Sequence, residues 1–186
     1  MSTGGDNIRS DYVYQETFEH ILAALMPMNR LALEVSLATG LRIDDVLHLK
    51  REQVNRGRFT IKEMKTGKSR RITLSKNLQK VLLMHGGEIY IFEGRNDPKK
   101  PRTRQAVNKD LKRACKLFRV KGVNITPHTA RKIYAVGWFK RSCSLDKVKQ
   151  LLNHSDEAVT MIYAMADELT AKNTNGKSVC VPKSHI

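Results

Sequence analysis

Residues 125–164 constrain the fold more than any other segment, because they divide into three short helices with recognisable first turns. Thr126 followed by Pro127 predicts the start of a helix over 127–140, since threonine caps helix N-termini and proline is tolerated in the first turn. Further helices are predicted over 145–152 and 156–164, the last with Ser155 as its N-cap. The segment is therefore expected to form a compact helical array.

Four side chains of this segment suit phosphate chemistry. His128 and Arg131 fall three residues apart, on one face of the first predicted helix. His154 precedes the third helix, and Tyr163 lies two turns further on. An imidazole can carry a proton, a guanidinium matches phosphate oxygens in pairs, and a phenol can act as a nucleophile.

Two earlier segments supply further cations at defined places. TGLRIDDVLHL, residues 39–49, places Arg42 at a tight junction between predicted helices 28–38 and 43–50, with Gly40 as the C-cap of the first. Residues 58–74 alternate apolar and polar side chains around a Lys-Thr-Gly-Lys turn, which predicts a β-hairpin with Lys65 at its basic tip. The other predicted elements are helices 17–26, ended by Pro27, 75–84 and 103–120 and a short strand 88–92.

The ordered set resembles the tyrosine recombinases of the phage integrase family. H-x-x-R, then L-L-x-H, then a tyrosine nine residues after that histidine resemble the family's C-terminal signature, and TGLR and the hairpin lysine fill its earlier positions. Asn153 stands where the family usually has glycine, and asparagine tolerates positive φ. The resemblance spans roughly residues 15–165 and implies an α+β, mainly α-helical catalytic domain with a small antiparallel β-hairpin packed on a helical core. Residues 1–14 would be a flexible lead-in, and 166–186 a tail that docks on a neighbouring subunit.

The resemblance also implies a role for each side chain. Arg42, Arg131 and His154 would hold the scissile phosphate, and Tyr163 would attack it to form a 3′-phosphotyrosine link. His128 would accept the phenol proton or orient the phosphate, and Lys65 would protonate the departing 5′ oxygen. Asp45 would support the first arginine without a chemical step of its own.

The charge of the chain points to a polyanionic partner. Its 186 residues carry 34 Lys and Arg against 18 Asp and Glu, a net charge of +16. The charge is spread along the chain rather than concentrated on one amphipathic helix, which favours a nucleic acid, DNA or RNA, over a membrane surface. The resemblance to the recombinase family implies that this partner is double-stranded DNA. No apolar run reaches membrane-spanning length. The DNA contacts predicted from the basic hairpin and the basic helix are Lys68, Arg70, Arg102, Arg104 and Lys109.

The sequence thus predicts a site-specific DNA recombinase that works as a homotetramer on DNA and as a monomer when free. It would need neither metal, ATP nor another cofactor. Three isolated cysteines without a C-x-x-C motif favour a reducing cytoplasm, in a bacterial host or from a phage. Two alternatives stay open: a type IB-like topoisomerase, and a DNA-binding remnant or regulator that no longer cuts. Each motif alone is also typical of surface pairs or packing residues, and only the conjunction favours catalysis.

Overall fold

The computed structural model of the chain describes residues 11–152. His154, Tyr163 and the predicted helix 156–164 lie outside this range, as does the predicted docking tail. The described elements are α1 Gln15–Leu22, α2 Pro27–Thr39, α3 Ile43–Leu47, α4 Arg51–Asn55, β1 Arg58–Lys62, β2 Ser69–Thr73, α5 Lys76–His85, α6 Arg104–Leu117, α7 Pro127–Ser142 and α8 Leu145–Leu152.

Helix α7 packs against α2, α6 and α8 and so lies at the centre of the helical core. The main cluster of buried apolar side chains runs from α1 to the first half of α7 and includes the fully buried Phe18, Leu33, Val46 and Leu111. A smaller cluster, built on Ala135, Phe139, Val148 and Leu152, joins α7 to α8. The mainly helical fold class predicted from the sequence is confirmed.

The two strands form an antiparallel hairpin whose register runs from Arg58 opposite Thr73 to Lys62 opposite Ser69. Successive side chains of a strand point to opposite faces. Phe59, Ile61 and Ile72 therefore point inward and are buried in the main cluster. The hairpin is packed on the helical core, as predicted.

Two predicted helix ends are confirmed in their capping geometry. Gly40 ends α2 with φ +67°, a left-handed conformation that glycine adopts without a Cβ penalty. Thr126 begins α7, and its hydroxyl accepts the backbone N–H of His128 at 3.2 Å. These two caps set where Arg42 and Arg131 enter the fold.

Two local predictions are wrong, and one short helix was not predicted. Helix α1 ends at Leu22, and Pro27 begins α2 instead of only terminating the preceding helix. The short helix α4 follows directly on Lys50 and was not predicted. Residues 88–92 form no strand. Tyr90 makes an isolated bridge with Lys50, because the segment that contains Lys50 turns into α4 at the next residue.

The described cysteines differ in state. Cys115 is a free thiol, whereas Cys143, which follows α7, is disulfide-bonded. No signal in the sequence indicated the disulfide at Cys143, since pairing between distant cysteines cannot be read from their spacing. Among helices of residues 11–152, none combines the length and the apolar character needed to cross a membrane.

Candidate active site

Arg42 lies at the junction between α2 and α3, where it is the N-cap residue of α3. Its side chain is 11% exposed, and its Nη1 donates to Oε2 of Glu63 at 2.9 Å. The junction therefore aims a long cation inward, as the sequence predicted, and a carboxylate from the end of the hairpin receives it.

Arg131 approaches the same junction from α7. Its side chain is fully buried. Nη1 donates to the carbonyl oxygen of Gly40, and Nη2 donates to the carbonyl oxygen of Leu152 at 2.8 Å. One guanidinium thus joins the turn that carries Arg42 to the end of α8, two residues before His154 in the chain.

Gly40, at the end of α2, lies directly against Tyr134 of α7. A Cβ atom at this position would lie 2.3 Å from the ring of Tyr134, and the backbone φ is +67°. Both constraints exclude larger side chains. The absence of a side chain lets α7 come close enough for Arg131 to reach the Gly40 carbonyl.

Lys65 lies in the turn of the hairpin with its side chain exposed. The residues on either side of it are held by carboxylates. The Met64 N–H donates to Oδ1 of Asp45 at 2.8 Å, and the Thr66 hydroxyl donates to Oε2 of Glu63 at 2.9 Å. The backbone at Lys65 is fixed to the core while its ammonium group faces solvent.

Asp45 lies within the electrostatic reach of both arginines. Burial raises the pKa of its carboxyl above 3.8, and the nearby Glu63 charge adds to this increase. The Met64 N–H, Arg42 and Arg131 oppose the increase without cancelling it. Since two arginines act on one carboxylate, Arg42 and Arg131 converge on a single region.

Arg70 was predicted to contact DNA, but its side chain is only 9% exposed. Its Nη1 donates to the Gly40 carbonyl at 3.2 Å, its Nη2 donates to the Thr39 carbonyl, and Nη1 lies 3.6 Å from Oε1 of Glu63. This placement favours a role in holding the α2–α3 junction over the predicted groove contact.

The other predicted DNA contacts lie at the surface or near it. Lys68 and Lys109 are exposed, and Arg104 is 60% exposed with its Nη1 3.5 Å from Asp44. Arg102 is half-buried and donates to the side-chain oxygen of Asn29 at 3.0 Å. Burial lowers the pKa of its guanidinium below the ordinary value for arginine, and nearby Asp110 opposes that decrease.

The structure brings Arg42, Lys65, Arg131 and Asp45 together around the α2–α3 junction. His128 lies in the first turn of α7, half-buried and three residues before Arg131. Tyr163 and His154 are outside the described residues, so their predicted roles stay predictions. Within residues 11–152, no group of three or more His, Cys, Asp or Glu side chains is arranged to hold a metal ion.

Sequence reasoning missed Glu63, which is fully buried and links Arg42, Thr66 and Arg70. A signal for it was present. The alternation that buries Phe59 and Ile61 continues to position 63, so an acid there faces the core. A buried carboxylate requires cationic or hydrogen-bonding partners.

The chain is similar in sequence to known proteins. The chain is 31% identical to the tyrosine recombinase XerD of Listeria innocua, over 76% of this chain and 51% of that protein. It is 26% identical to the integrase of Escherichia phage P2, over 82% of this chain and 42% of that protein. The chain thus spans about half the length of the curated relatives it matches.

Solved structures show the same fold. The catalytic domain of bacteriophage HP1 integrase matches with a TM-score of 0.62 at 18% identity, over 95% of this chain and 100% of that one. A lambda integrase dimer bound to a COC′ core site matches with a TM-score of 0.70 at 19% identity, over 98% of this chain and 54% of that one. The profile described as the phage integrase family matches residues 11–169. By its sequence and by its fold, the chain belongs to the phage integrase family, the tyrosine recombinases.

Proposed function

We propose that this chain is the catalytic part of a site-specific DNA recombinase, which cleaves and rejoins DNA through a 3′-phosphotyrosine intermediate. The observation that carries the proposal is the convergence of Arg42 and Arg131 beside the turn that holds Lys65. The two arginines come from positions 89 residues apart (131 minus 42). A site that binds one phosphate from several sides explains their convergence.

The arginines act on the charge of the reacting phosphate. Negative charge develops on the non-bridging oxygens when a nucleophile attacks phosphorus, and guanidinium groups bind such oxygens in pairs. Arg131 is already fixed by two carbonyls, so little reorganisation is needed at the moment of reaction. In the proposal, His154 adds a hydrogen bond to the same oxygens.

Tyr163 is the proposed nucleophile. Its phenol oxygen forms a bond to phosphorus, and the bond from phosphorus to the 5′ oxygen breaks in line with the attack. His128 takes the phenol proton, and Lys65 gives a proton to the departing 5′ oxygen. The product is a phosphotyrosine ester and a free 5′ hydroxyl, and attack by a hydroxyl of another strand reverses the step without ATP.

Assembly on DNA is part of the proposal. One solved relative is a lambda integrase dimer bound to a COC′ core site, and another is a lambda integrase tetramer bound to a Holliday junction. We propose that this chain likewise acts as a homotetramer on double-stranded DNA, in the cytoplasm and without a metal ion. The exposed Lys68, Arg104 and Lys109 are the proposed phosphate contacts, and they would make binding strongly dependent on salt.

The test is covalent trapping in EDTA. The protein is mixed with a pool of nicked duplexes whose sequence around the nick is randomised, and adducts that survive denaturation are captured and sequenced. Wild-type protein is expected to give adducts that share a sequence, whereas Tyr163→Phe gives none while binding DNA as wild type does. Peptide mapping should place the nucleotide on Tyr163.

The other outcomes separate the competing functions. DNA binding without any adduct contradicts cleavage and favours a non-cutting DNA-binding protein. Adducts together with relaxation of supercoils on DNA that carries a single site favour a type IB-like topoisomerase. Strand exchange that requires two copies of the recovered sequence supports the recombinase.

A further inference from the structure

Glu63 occupies a place in this site that none of the proposed chemical roles covers. Its side chain is fully buried at the end of β1. Oε2 accepts a hydrogen bond from Arg42 at 2.9 Å and another from the hydroxyl of Thr66 at 2.9 Å. One carboxylate oxygen therefore joins the phosphate-binding arginine to the residue that directly follows Lys65.

The backbone of Glu63 closes the same turn. Its N–H donates to the carbonyl of Lys68 at 2.9 Å, and its carbonyl accepts the N–H of Gly67 at 2.8 Å. Gly67 has φ +66°, which suits a tight turn. Side chain and backbone of one residue thus define both the shape of the Lys65 turn and its distance from Arg42.

Asp45 fixes the other side of the turn through its bond to the Met64 N–H. Asp45 belongs to α3, which begins directly after Arg42. Both neighbours of Lys65 are therefore tied to the helix that presents Arg42, one by Asp45 and the other by Glu63. The lysine side chain itself extends into solvent, where a bound DNA strand would pass.

We propose that Glu63 is a positioning residue that holds the Lys65 turn beside Arg42, so that the Lys65 ammonium meets the 5′ oxygen of the phosphate that Arg42 binds. The inference rests on the proposed function. The step it serves is proton transfer: the bond from phosphorus to the 5′ oxygen breaks, its electron pair goes to that oxygen, and a proton from Lys65 neutralises it. Glu63 touches neither the phosphate nor the leaving group.

The chemistry of the leaving group gives a test that a merely structural role would not pass. When sulfur replaces the bridging 5′ oxygen, the leaving thiolate is stable without a proton, because thiols have a pKa of about 8.5. Substitution of a residue that acts through Lys65 should therefore slow cleavage of the oxygen substrate and have little effect on cleavage of the sulfur substrate. Lys65→Ala provides the reference pattern.

Two variants remove the Glu63 link in different ways. Glu63→Gln removes the charge of the buried group. Thr66→Val removes the hydrogen bond from Thr66 to Glu63, together with the long contact from the Lys68 N–H to the Thr66 hydroxyl at 3.4 Å, while the pairing of Arg42 with Glu63 remains. The matched control is Thr73→Val, an exposed threonine at the far end of the hairpin, opposite Arg58. Substrates are nicked duplexes that carry the sequence recovered by covalent trapping, with oxygen or sulfur at the bridging position.

Single-turnover adduct formation is the measurement. Glu63→Gln and Thr66→Val are expected to slow cleavage of the oxygen substrate about 10- to 10²-fold, the size of effect that a misplacement near 1 Å produces. The deficit should largely disappear on the sulfur substrate, and Thr73→Val should match wild type on both. Thr66→Val keeps the test decisive if Glu63→Gln does not fold.

Three results would count against the inference. Wild-type rates for Thr66→Val on the oxygen substrate overturn it, and so do equal deficits on both substrates, because the residue then does not act through the proton. If wild-type protein forms no adduct with either substrate, the proposed function fails and this inference fails with it.

Discussion

Buried carboxylates occur in two places in this protein: Asp110 on α6, and Asp45 with Glu63 in the candidate site. The two places differ in how completely the buried negative charge is compensated by hydrogen bonds. Asp110, on α6, is 8% exposed and has both oxygens filled. Oδ2 accepts the Met26 N–H and the Asn29 side chain, each at 2.8 Å, and Oδ1 accepts Nε and Nη2 of Arg113 at 3.0 and 2.8 Å. Burial alone would raise the pKa of Asp110, but these hydrogen bonds together lower it.

The carboxylates of the candidate site are less completely hydrogen-bonded. Within residues 11–152, Oδ2 of Asp45 and Oε1 of Glu63 are buried without a hydrogen-bond partner. The pKa of Asp45 is raised, first by burial and then by the Glu63 charge. Both acids lie among Arg42, Arg70 and Arg131, whose positive charge serves a phosphate in the proposed reaction.

The difference distinguishes a fully hydrogen-bonded structural cluster from the candidate functional site. A buried acid with all its hydrogen bonds made contributes to stability, whereas each buried polar atom without a partner costs free energy. The hydrogen bonds of Asp110 join α6 to the start of α2, and both of its carboxylate oxygens have partners. The site around Asp45 and Glu63 carries an electrostatic cost that the nearby cationic side chains offset in part.

The largest expected effect concerns Arg131. Arg131→Lys keeps the positive charge but cannot donate to the Gly40 and Leu152 carbonyls together while also facing a phosphate. The rate of covalent adduct formation should fall about 10²- to 10³-fold, the usual effect of losing one preorganised donor. If the variant reacted at the wild-type single-turnover rate, Arg131 would have no role in the proposed reaction.

Gly40→Ala tests the close approach that places Arg131. Its methyl group would meet the Tyr134 ring in a left-handed backbone conformation, so we expect a loss of about 2–4 kcal/mol in the free energy of unfolding. Urea unfolding measures this loss. The matched control is Gly137→Ala within α7, where no atom lies within 4 Å of the added Cβ. The control should gain about 0.5–1 kcal/mol. Equal effects at both positions would contradict the packing described here.

Asp110→Asn tests the fully matched cluster. The amide keeps one acceptor oxygen but turns its NH₂ group towards donors, so we expect a loss of about 2–3 kcal/mol in the free energy of unfolding. The cleavage rate of the folded variant should be unchanged when DNA is saturating. A stability change within about 0.5 kcal/mol would show that the Asp110 hydrogen bonds do not stabilise the fold.

The smallest expected effect is a difference in pH dependence between the two clusters. Because the folded-state pKa of Asp45 lies above 3.8, wild-type protein loses stability as the pH rises from 3.8 through that folded value. Asp45→Asn should remove this loss, on the order of 1.4 kcal/mol for each unit of pKa shift. Asp110 has the opposite sign, since its contribution is present above 3.8 and is lost as the pH falls through its lowered pKa. Melting temperatures measured from pH 3 to 7, about the range of carboxyl titration, test this difference. A pH dependence of the same sign for both groups would contradict the comparison.

The sequence predicted what local rules control. The alternation in 58–74, the glycine at position 40 and the Thr-Pro pair before α7 each act within a few residues, and each is confirmed in the structure. The contacts of Glu63 and Arg70 with the α2–α3 junction could not be predicted in the same way, because those partners lie 21 to 31 residues away in the chain. A basic residue on a hairpin was interpreted as a DNA contact, and only packing shows that Arg70 turns towards the α2–α3 junction.

The isolated bridge at Tyr90 teaches the same lesson for the fold. Apolar residues around 88–92 predict a strand, but a strand needs a partner of matching length. The chain at Lys50 turns into α4, so only one bridge forms. The strand propensity of residues 88–92 did not decide their structure, because the segment opposite them forms α4.

The most direct test of the comparison is a carboxyl NMR titration of the wild-type protein, followed at the side-chain carbons of Asp45 and Asp110. The account predicts that Asp45 titrates above the ordinary value of 3.8 and Asp110 below it, because only Asp110 has both oxygens hydrogen-bonded. The two assignments are anchored by the spectra of Asp45→Asn and Asp110→Asn. If both groups titrated below 3.8, or in the reverse order, the carboxylate of Asp45 would be as well compensated as that of Asp110. The distinction between the candidate site and the Asp110 cluster would then be wrong.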